Sequence, residues 1–569
     1  MESFIKNNPN TARFLLLLTL FGVLYMAGLN KPVVIDYDEG FYAEISREMF
    51  TQNEYLVPSL NGENNFEKPP MLYWGQMLGY TLFGINAFGA RFVNALAGIA
   101  LILLIFLIGQ KPVGAKTSFR ASLILGSSIF FVYLSRIAMT DMLLTLFFTL
   151  CLYFAWKAIE RSSQNQSGTF YFWAACAFAG FAMLTKGAIG ILFPAVTVFI
   201  YLLTLGRLRI LFQPSWLIPG IVILVAIGFS WYLLLGFNHP EGFSFMKELF
   251  IKHHFQRFSK PMEGHSGPIY FYLVVFLAGF MPWSAFTPLA AYHSQYRDSS
   301  NERVRFLRFF LLFSLVTFIF FSIAATKLPN YICPALPGIA LLTATLFDQK
   351  EITGKYGWLT ATYSAVLLVL GLGIFCFIAP TLMAHLPQML GEKALKAPVL
   401  ALPIHLGYTP YICGTIFIVT AVFLVIAGRK KSPSSLFTAL SISALVVTGI
   451  LFMVGLPVYD SLVNRPLTQV AQQAALRTPE DGRILLLEAG SRPSVNFYSR
   501  RKTVDCSIHY PEGLKKLFQE KDIRVGITTE YYLTILNETG IKTERLFADR
   551  GYVLFRLPAD DTQPSSEKK

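Results

Sequence analysis

Long apolar segments recur along most of this 569-residue chain and constrain its fold more than any other feature. Hydropathy predicts about thirteen segments, each long enough to cross a hydrocarbon core of about 30 Å. They lie at 12–29, 89–109, 118–135, 142–158, 170–185, 187–204, 214–236, 269–291, 306–325, 331–347, 357–379, 408–427 and 434–456. Charged residues make up only 14% of the chain, whereas a typical soluble domain is about a quarter charged. The sequence therefore predicts an α-helical polytopic membrane protein.

The basic residues predict the orientation of these spans. The formal net charge is +14, which could indicate a nucleic-acid partner, but the basic side chains cluster in short loops between apolar segments. With thirteen spans, these clusters all fall on the side of the N-terminus, at 111–120, 157–161, 207–209, 297–308, 350–355 and 429–431. The positive-inside rule makes that side cytoplasmic. We therefore expect no nucleic-acid partner, a bacterial inner-membrane location, a cytoplasmic N-terminus and a periplasmic C-terminal segment.

The hydropathy changes near residue 459 and predicts a second domain. Ile484–Leu487, Val525–Thr528 and Val553–Leu557 are typical of short strands, and Leu467–Leu476, Pro493–Ser499 and Pro511–Gln519 of helices. This alternation predicts a small α/β domain. The expected organisation is a transmembrane domain at 1–458 with long periplasmic loops at 31–87 and 238–268, an α/β domain at 459–559 and a disordered tail at 560–569.

Twelve ionisable or tyrosine side chains lie together on the predicted periplasmic face. They are Asp38, Glu39, Tyr42, Glu67, Lys68, Tyr73, Asp141, Lys186, His254, Arg257, Lys327 and Tyr331. A charge beside the bilayer is costly, so its presence favours a function. Scattered structural charges would have no reason to collect on one face, and the set predicts a single site.

The residue types in this set suit a phosphate and an acceptor. The candidates for phosphate binding by charge-assisted hydrogen bonds are Lys68, Lys186, Arg257, Lys327 and Tyr331. Asp38, and less favourably Asp141, can take a proton from an attacking hydroxyl. Glu39 is a further candidate catalytic carboxylate, and Tyr42 and Tyr73 are candidate substrate-binding residues. Glycosyl transfer from a lipid phosphate needs both a stabilised leaving phosphate and an activated acceptor, and the bacterial extracytoplasmic space holds no nucleotide sugars.

Each of these side chains also has a structural interpretation. Asp38 or Glu39 can cap a helix predicted at Gly40–Met49, and Lys68 can anchor the chain at the interface. Lys186 can mark a tight turn with Gly187, and a histidine such as His254 is more often packed than metal-bound. The functional prediction depends on the conjunction of these residues.

Six motifs in a fixed order carry a resemblance to a known family. They are DEGFYAEISREM from Asp38 to Met49, FEKPPMLYW from Phe66 to Trp74, Asp141 at the start of span four, LTKG from Leu184 to Gly187, HFQRF from His254 to Phe258 and KLPNYICP from Lys327 to Pro334. This set resembles the GT-C integral-membrane glycosyltransferases. Within them it is most similar to the ArnT-type aminoarabinose transferases of lipid A modification, which are relatives of the protein O-mannosyltransferases. The resemblance covers about residues 10–350, and beyond that only the architecture agrees.

The resemblance implies roles for individual residues. Asp38 would be the principal catalytic carboxylate, supported by Asp141. The carrier phosphate would be held by Lys68, Arg257 and Tyr331. Glu67 and His254 would be candidate ligands of a structural zinc ion, and no organic cofactor is expected.

The expected reaction moves a sugar from an undecaprenyl (polyprenyl) phosphate carrier to an acceptor, with lipid A as the first candidate. Phe41 stands where aminoarabinose transferases usually have arginine, which leaves the sugar and the acceptor open. A protein O-mannosyltransferase-like enzyme or another surface-glycan transferase is the alternative. A lipid-linked sugar transporter is a further alternative, although a transporter should place polar residues at mid-span.

Overall fold

The computed structural model describes most of the chain. The described residues are 8–240, 242–247, 249, 265–293, 300–348, 355–391, 398–430, 432–520 and 522–558. Helices dominate up to residue 475, and a five-stranded sheet follows. The predicted class, a helical polytopic membrane protein with a small C-terminal α/β region, is confirmed.

Eight helical segments in the described part of the chain are long and apolar enough to cross a membrane. They are Pro9–Met26, Ala87–Gly109, Thr140–Ser163, Glu302–Ile323, Pro329–Asp348, Leu359–Leu390, Thr409–Arg429 and Pro433–Val463. Three bent pairs raise the number to eleven if each is one span: Ala115–Ser127 with Ile129–Ser135, Pro214–Gly228 with Ser230–Asn238, and Phe271–Gly279 with Trp283–Tyr292. Helices Thr169–Lys186 and Ile189–Thr204 occupy the two remaining predicted segments. Every predicted segment is therefore helical, while length and apolarity support eight to eleven crossings rather than thirteen.

Aromatic side chains fill the interfaces between these helices. The Phe148 ring lies 6.1 Å from Phe193 and 5.4 Å from Phe313, and Trp156 meets Phe306 edge-on at 4.9 Å. These contacts join Thr140–Ser163 to Ile189–Thr204 and to Glu302–Ile323. Such aromatic pairs add packing energy beyond the area they bury, and they hold the three helices in place relative to one another.

The first long loop is folded. It contains the helix Asp38–Gln52, a hairpin of β1 (Ser59–Leu60) with β2 (Glu63–Asn64), and the helix Met71–Phe83. The first helix ends at Asn53, which adopts the left-handed conformation and returns its N–H to the last turn. This helix is longer at both ends than the predicted Gly40–Met49. Most of the second predicted loop, 238–268, lies outside the described residues.

The C-terminal sheet contains strands β3 (Arg483–Leu487), β4 (Lys502–Cys506), β5 (Ile523–Thr529), β6 (Glu544–Asp549) and β7 (Tyr552–Arg556). Their order is β4-β3-β5-β7-β6, with β3 parallel to β4 and β5, and β7 antiparallel to β5 and β6. The helices around it are Arg465–Ala475, Pro493–Ser499, Pro511–Gln519 and Glu530–Glu538. The three predicted strands and three predicted helices are present, whereas β4, β6 and the last helix were missed. The predicted domain boundary at 458/459 falls inside the helix Leu456–Val463.

The C-terminal region is fixed to the loop that precedes Asp38. The Asp36 carboxylate accepts hydrogen bonds from the Ser494 N–H (2.9 Å) and hydroxyl (2.5 Å). The Val34 N–H donates to the Tyr498 hydroxyl at 2.7 Å. The sheet region and the Asp38 helix therefore lie at the same face of the helical bundle.

The remaining described elements complete the chain. The remaining α-helices are Ser244–Lys247, Thr287–His293, Leu336–Thr345 and Lys355–Leu390. The 3-10 turns are Leu208–Phe212, Trp283–Ala285, Pro329–Ala335, Leu346–Asp348 and Pro398–Ala401. A π-helical turn lies at Leu451–Gly455.

Candidate active site

Asp38 opens the candidate site as the first residue of the helix Asp38–Gln52. Tyr37 occupies the N-cap position, and its side chain makes no capping hydrogen bond. The Asp38 side chain is accessible, and within the described ranges its carboxylate makes no hydrogen bond or ion pair. Loss of surrounding water raises the pKa of Asp38, opposed by the charge of Lys68 and reinforced by those of Asp141 and Glu67. The carboxylate is thus open to an incoming molecule and has raised proton affinity.

Glu39, the next residue, is buried and committed to structure. Its carboxylate pairs with Arg91 through Nε (2.6 Å) and Nη2 (2.7 Å), and it accepts the N–H groups of Ile35 (3.0 Å) and Ala138 (2.9 Å). With every lone pair direction engaged in this way, Glu39 has no capacity left for an acceptor. We assign it a positioning role in place of the predicted catalytic one.

Arg91 holds the chain that leads to Asp38. Besides Glu39, its guanidinium donates to the carbonyls of Leu29 (2.9 Å), Pro32 (2.8 Å) and Val33 (2.7 Å). All five donors of an arginine can be placed in this planar geometry. The Arg91–Glu39 pair consequently fixes the end of the first span, the loop and the Asp38 helix as one unit.

A second carboxylate, Asp141, joins three distant segments. It is the second residue of Thr140–Ser163 and is 1% exposed. Its two oxygens accept from Lys186 Nζ at 2.6 Å and from Asn330 Nδ2 at 2.7 Å. Lys186, the last residue of Thr169–Lys186, also lies 4.8 Å from the centre of the Tyr331 ring. The structure brings Asp141, Lys186 and Tyr331 together and adds Asn330, which sequence reasoning missed.

Lys68 and Glu67 form an ion pair near Asp38, in the region between Asp38 and Asp141 that we call the Asp38 crevice. Lys68 Nζ lies 2.6 Å from Glu67 Oε1. The charges of Lys68, Glu67 and Asp141 all act on Asp38, so the two carboxylate regions belong to one candidate site. A lysine held this way presents a fixed positive charge beside the open carboxylate.

Tyr42 and Tyr73 line the same region. Their ring centres lie 6.2 Å apart. Burial raises the pKa of Tyr42, with a further increase from Asp38 and Glu67, and burial together with Glu67 raises the pKa of Tyr73. The Tyr73 hydroxyl is buried and has no hydrogen-bond partner among the described residues. Both phenols stay protonated and can donate to a substrate oxygen.

Lys327 has a structural environment. Its ammonium donates to the carbonyls of Phe321 (3.2 Å), Ser322 (2.8 Å) and Ala324 (2.8 Å) and lies 5.7 Å from the centre of the Tyr272 ring. These are the open carbonyls at the end of the Glu302–Ile323 helix, where a cation also suits the helix dipole. We assign Lys327 to helix capping in place of the predicted phosphate contact.

The predicted metal site has only one ligand within the described part of the chain. His254, the other predicted metal ligand, lies outside the described residues. So does Arg257, which was predicted to bind the phosphate. Glu67 is described, and its carboxylate holds Lys68. The described ranges contain no group of three or more His, Cys, Asp or Glu side chains placed to hold a metal ion. A zinc site normally needs four ligands, so the described residues do not make one, and we derive no step through a metal.

Sequence signals for the two missed residues existed. Arg91 is a charged residue within an apolar segment, which is a functional or structural signal by itself. Asn330 stands inside the motif from Lys327 to Pro334, between two residues that were singled out. Neither signal says which carboxylate the side chain reaches.

Comparisons with known proteins identify the family. Residues 67–233 match the family model described as dolichyl-phosphate-mannose-protein mannosyltransferase. An uncharacterised protein of Aquifex aeolicus is 32% identical over 68% of this chain and 74% of its own length. An undecaprenyl phosphate-alpha-4-amino-4-deoxy-L-arabinose arabinosyl transferase of Edwardsiella ictaluri is 29% identical, and the match covers 63% of each chain. This chain therefore spans a little under two thirds of the length of that named relative.

A solved structure has the same fold. ArnT from Cupriavidus metallidurans, crystallised with undecaprenyl phosphate, superposes with a TM-score of 0.76 over 97% of this chain and 99% of its own, at 20% sequence identity. The similarity extends through the C-terminal region that the sequence motifs do not cover. This structure shows the shared fold, and the sequence relatives show that the chain belongs to the GT-C membrane glycosyltransferases of the ArnT type.

Proposed function

We propose that this protein transfers a sugar from an undecaprenyl-type polyprenyl phosphate to an acceptor at the face that carries Asp38. The observation that carries the proposal is the open Asp38 carboxylate beside two lysines that are each held by another carboxylate, Lys68 by Glu67 and Lys186 by Asp141. The Asp38 carboxylate can activate an acceptor, while the ammonium groups of Lys68 and Lys186 face a phosphate. The relatives named as undecaprenyl phosphate-alpha-4-amino-4-deoxy-L-arabinose arabinosyl transferases support 4-amino-4-deoxy-L-arabinose as the sugar, and lipid A is the acceptor that the motif resemblance implies.

The reaction needs one bond to form as another breaks. An acceptor oxygen attacks the anomeric carbon, and the bond from that carbon to the phosphate oxygen breaks with its electron pair staying on the phosphate. Asp38 takes the proton of an acceptor hydroxyl, for which a raised pKa is suitable. Lys68 and Lys186 oppose the charge that develops on the leaving phosphate, and such preorganised cations act most strongly where water is excluded.

Asp141 and Asn330 act through Lys186 in this proposal. Asp141 fixes the ammonium at 2.6 Å, and Asn330 fixes Asp141 at 2.7 Å. Because neither the lysine nor the carboxylate needs to reorganise, the cation is in place when the phosphate leaves. Arg257 remains a proposed phosphate ligand, and Glu67 with His254 remains a proposed metal pair.

The proposed location of the site is the periplasmic face of the inner membrane. Lys111 follows the span whose first turns hold Arg91, and it therefore lies at the end opposite Asp38, together with the other basic loops. A reporter fused after Lys431 should behave as cytoplasmic and one fused after Glu488 as periplasmic. The reverse pattern would place the site where nucleotide sugars are available and would remove the reason for a lipid-linked donor.

The function is tested by reconstitution. The purified chain in proteoliposomes is given undecaprenyl phosphate carrying 4-amino-4-deoxy-L-arabinose, with lipid A as acceptor, and lipid A is analysed by mass spectrometry. We expect a mass increase of one aminoarabinose per transfer, absent without the carrier-linked donor. Transfer to protein from a mannose donor would support the alternative indicated by the family model. Movement of the intact donor across the bilayer without transfer would contradict an enzyme.

A further inference from the structure

A large groove lies away from Asp38, at the seam between the helical bundle and the C-terminal region. Its volume is about 1040 Å³. It is bounded by the end of the first span, the start of Ala87–Gly109, and the helices Arg465–Ala475 and Pro493–Ser499. Because two of these boundaries are span ends, the groove lies at the level where a bilayer meets water.

Among the described residues, three cations line the groove, namely Lys31, Arg465 and Arg500, and no acidic side chain does. Arg465 donates to the Lys31 carbonyl at 2.7 Å and lies 3.4 Å from Asp460. Asp460 is buried behind the groove, where it also accepts the Val33 N–H. Neither Lys31 nor Arg500 has a side-chain hydrogen bond or ion pair to any described residue. Two positive charges are thus left facing the cavity.

Uncharged donors complete the lining. Asn86 caps the 23-residue helix Ala87–Gly109 with its oxygen, which accepts the Gly89 N–H at 2.9 Å, while its amide donates to Phe83 at 2.6 Å. The first-turn N–H groups of Ala87 and Phe88, both groove residues, have no partner within the helix, and they add the positive end of the helix dipole. The cavity is therefore shaped and charged for an anion with several acceptor oxygens.

An apolar strip runs from the groove along the helix Met71–Phe83. Leu78, Leu82 and Phe83 are 53%, 57% and 43% exposed. Leu78 and Leu82 are four residues apart and share one helix face. Phe83 lines the groove itself, together with Ile85 and Phe88. An occupant with an anionic head and a hydrocarbon chain can fill the groove and the strip at once, whereas a soluble anion would leave the strip uncovered.

We propose that this groove binds the phosphate-bearing headgroup of an anionic membrane lipid, with the hydrocarbon chain lying along the Leu78–Leu82–Phe83 strip. The site goes beyond the proposed transfer reaction, because none of its lining residues is assigned to the Asp38 crevice. Basic side chains near a membrane surface attract anionic lipid headgroups. The lipid also bridges the bundle to the C-terminal helices that line the groove, and it should stabilise the joined structure.

The test is lipid binding by the full-length protein. The protein is purified in a zwitterionic detergent and titrated with phosphatidylglycerol, phosphatidylcholine or inorganic phosphate, with bound lipid counted by native mass spectrometry and thermal stability measured alongside. We expect phosphatidylglycerol to bind and to raise the melting temperature, with phosphatidylcholine weaker by about tenfold or more. Equal binding of both lipids would overturn the headgroup assignment, and complete displacement by millimolar phosphate would make the groove a soluble-anion site.

Matched variants locate the binding. Lys31→Glu combined with Arg500→Glu reverses the two uncommitted groove charges and should weaken phosphatidylglycerol binding by tenfold or more. Arg524→Glu reverses an exposed charge on β5, outside the groove, and should change little. Full binding in the double variant would overturn the proposal. If the double variant fails to fold, Arg500→Gln alone, at an exposed position, should still weaken binding. Sugar transfer by the wild-type protein is measured separately, so absence of transfer together with intact phosphatidylglycerol binding would count against the proposed function only.

Discussion

The two carboxylate regions of the crevice differ in how their oxygens are used. Asp38 is accessible and makes no hydrogen bond or ion pair to a described residue, while Asp141 is buried and holds Lys186 and Asn330. A third carboxylate, Glu39, adjoins Asp38 in sequence yet is fully engaged by Arg91 and two backbone amides. The difference teaches that acidic character alone does not select a catalytic group. The open carboxylate of Asp38 can exchange a proton. The engaged carboxylates of Glu39 and Asp141 position the Asp38 helix and the Lys186 ammonium, respectively.

The largest effect on stability is expected from removing Arg91, which holds the segment that leads to Asp38. Arg91→Met leaves the Glu39 charge buried without its partner, and breaking a buried ion pair in this way costs about 3–5 kcal/mol. We expect loss of most folded protein or a sharply lowered melting temperature in detergent. Arg161→Met, which removes a cation bonded to the Ser167 carbonyl near the surface, is the control and should be mild. A stable Arg91→Met protein with normal transfer would contradict the positioning role assigned to Glu39 and its pair with Arg91.

A smaller effect is expected at Asp141, because it acts through Lys186. Asp141→Asn can keep one polar contact but loses the ion pair at 2.6 Å, so Lys186 is no longer held in place. Misplacement of a positioning group by about 1 Å can cost about a hundredfold, and we expect a fall of about ten- to a hundredfold in kcat. Steady-state kinetics with Asp505→Asn, at an exposed position on β4, is the comparison. A larger loss of kcat in Asp141→Asn than in Asp38→Asn would make Asp141 the catalytic carboxylate and Asp38 the positioning one.

Lys68→Ala is expected to act on the donor. It removes a cation held by Glu67 at 2.6 Å, and a hydrogen bond to a charged group contributes about 1.5–3 kcal/mol, so the KM for the polyprenyl-phosphate donor should rise about tenfold or more. Lys116→Ala, an exposed lysine in a predicted cytoplasmic loop, is the matched control. An unchanged donor KM would leave Lys68 as an interfacial anchor.

The smallest expected effect is a change in pH dependence at Glu44. Burial raises the pKa of Glu44 to about 7 despite its bidentate contact with Arg47. The folded protein then binds more protons than the unfolded chain between the ordinary pKa and about 7, so stability falls as pH rises through that range. Glu44→Gln should flatten the melting temperature between pH 5 and 8, while Glu63→Gln at an exposed position should keep the wild-type slope. An unchanged slope in Glu44→Gln would contradict the buried proton.

Much of the fold follows from the sequence, because lipid-length apolar runs leave few alternatives to helices. The helix Pro493–Ser499 was also predicted with its observed bounds. The missed strands β4 and β6 contain no fully buried residue and carry charged residues, so they lack the apolar run that marked β3, β5 and β7. Their pairing depends on neighbouring strands that are distant in sequence.

Local sequence pattern predicts which side chains could lie near Asp38, but it does not predict the contacts that each of them makes. Asp38 and Glu39 look equivalent in sequence, but adjacent helical residues point about 100° apart, and only one of these two carboxylates meets Arg91. Lys327 looks like other cations of the set, yet it lies where three carbonyls of a helix end require donors. Such assignments depend on contacts between segments that local pattern does not specify.

The most direct test of the central claim is the transfer rate of Asp38→Asn. Asparagine keeps the shape and the hydrogen-bonding reach of aspartate but cannot accept the acceptor's proton. A general base contributes about 10²–10⁴-fold, so transfer should fall within that range while expression, melting temperature and donor binding stay near wild type. Asp38→Glu, which retains a carboxylate, should recover part of the rate. Wild-type transfer by Asp38→Asn would contradict a catalytic Asp38 and would move the assignment to Asp141.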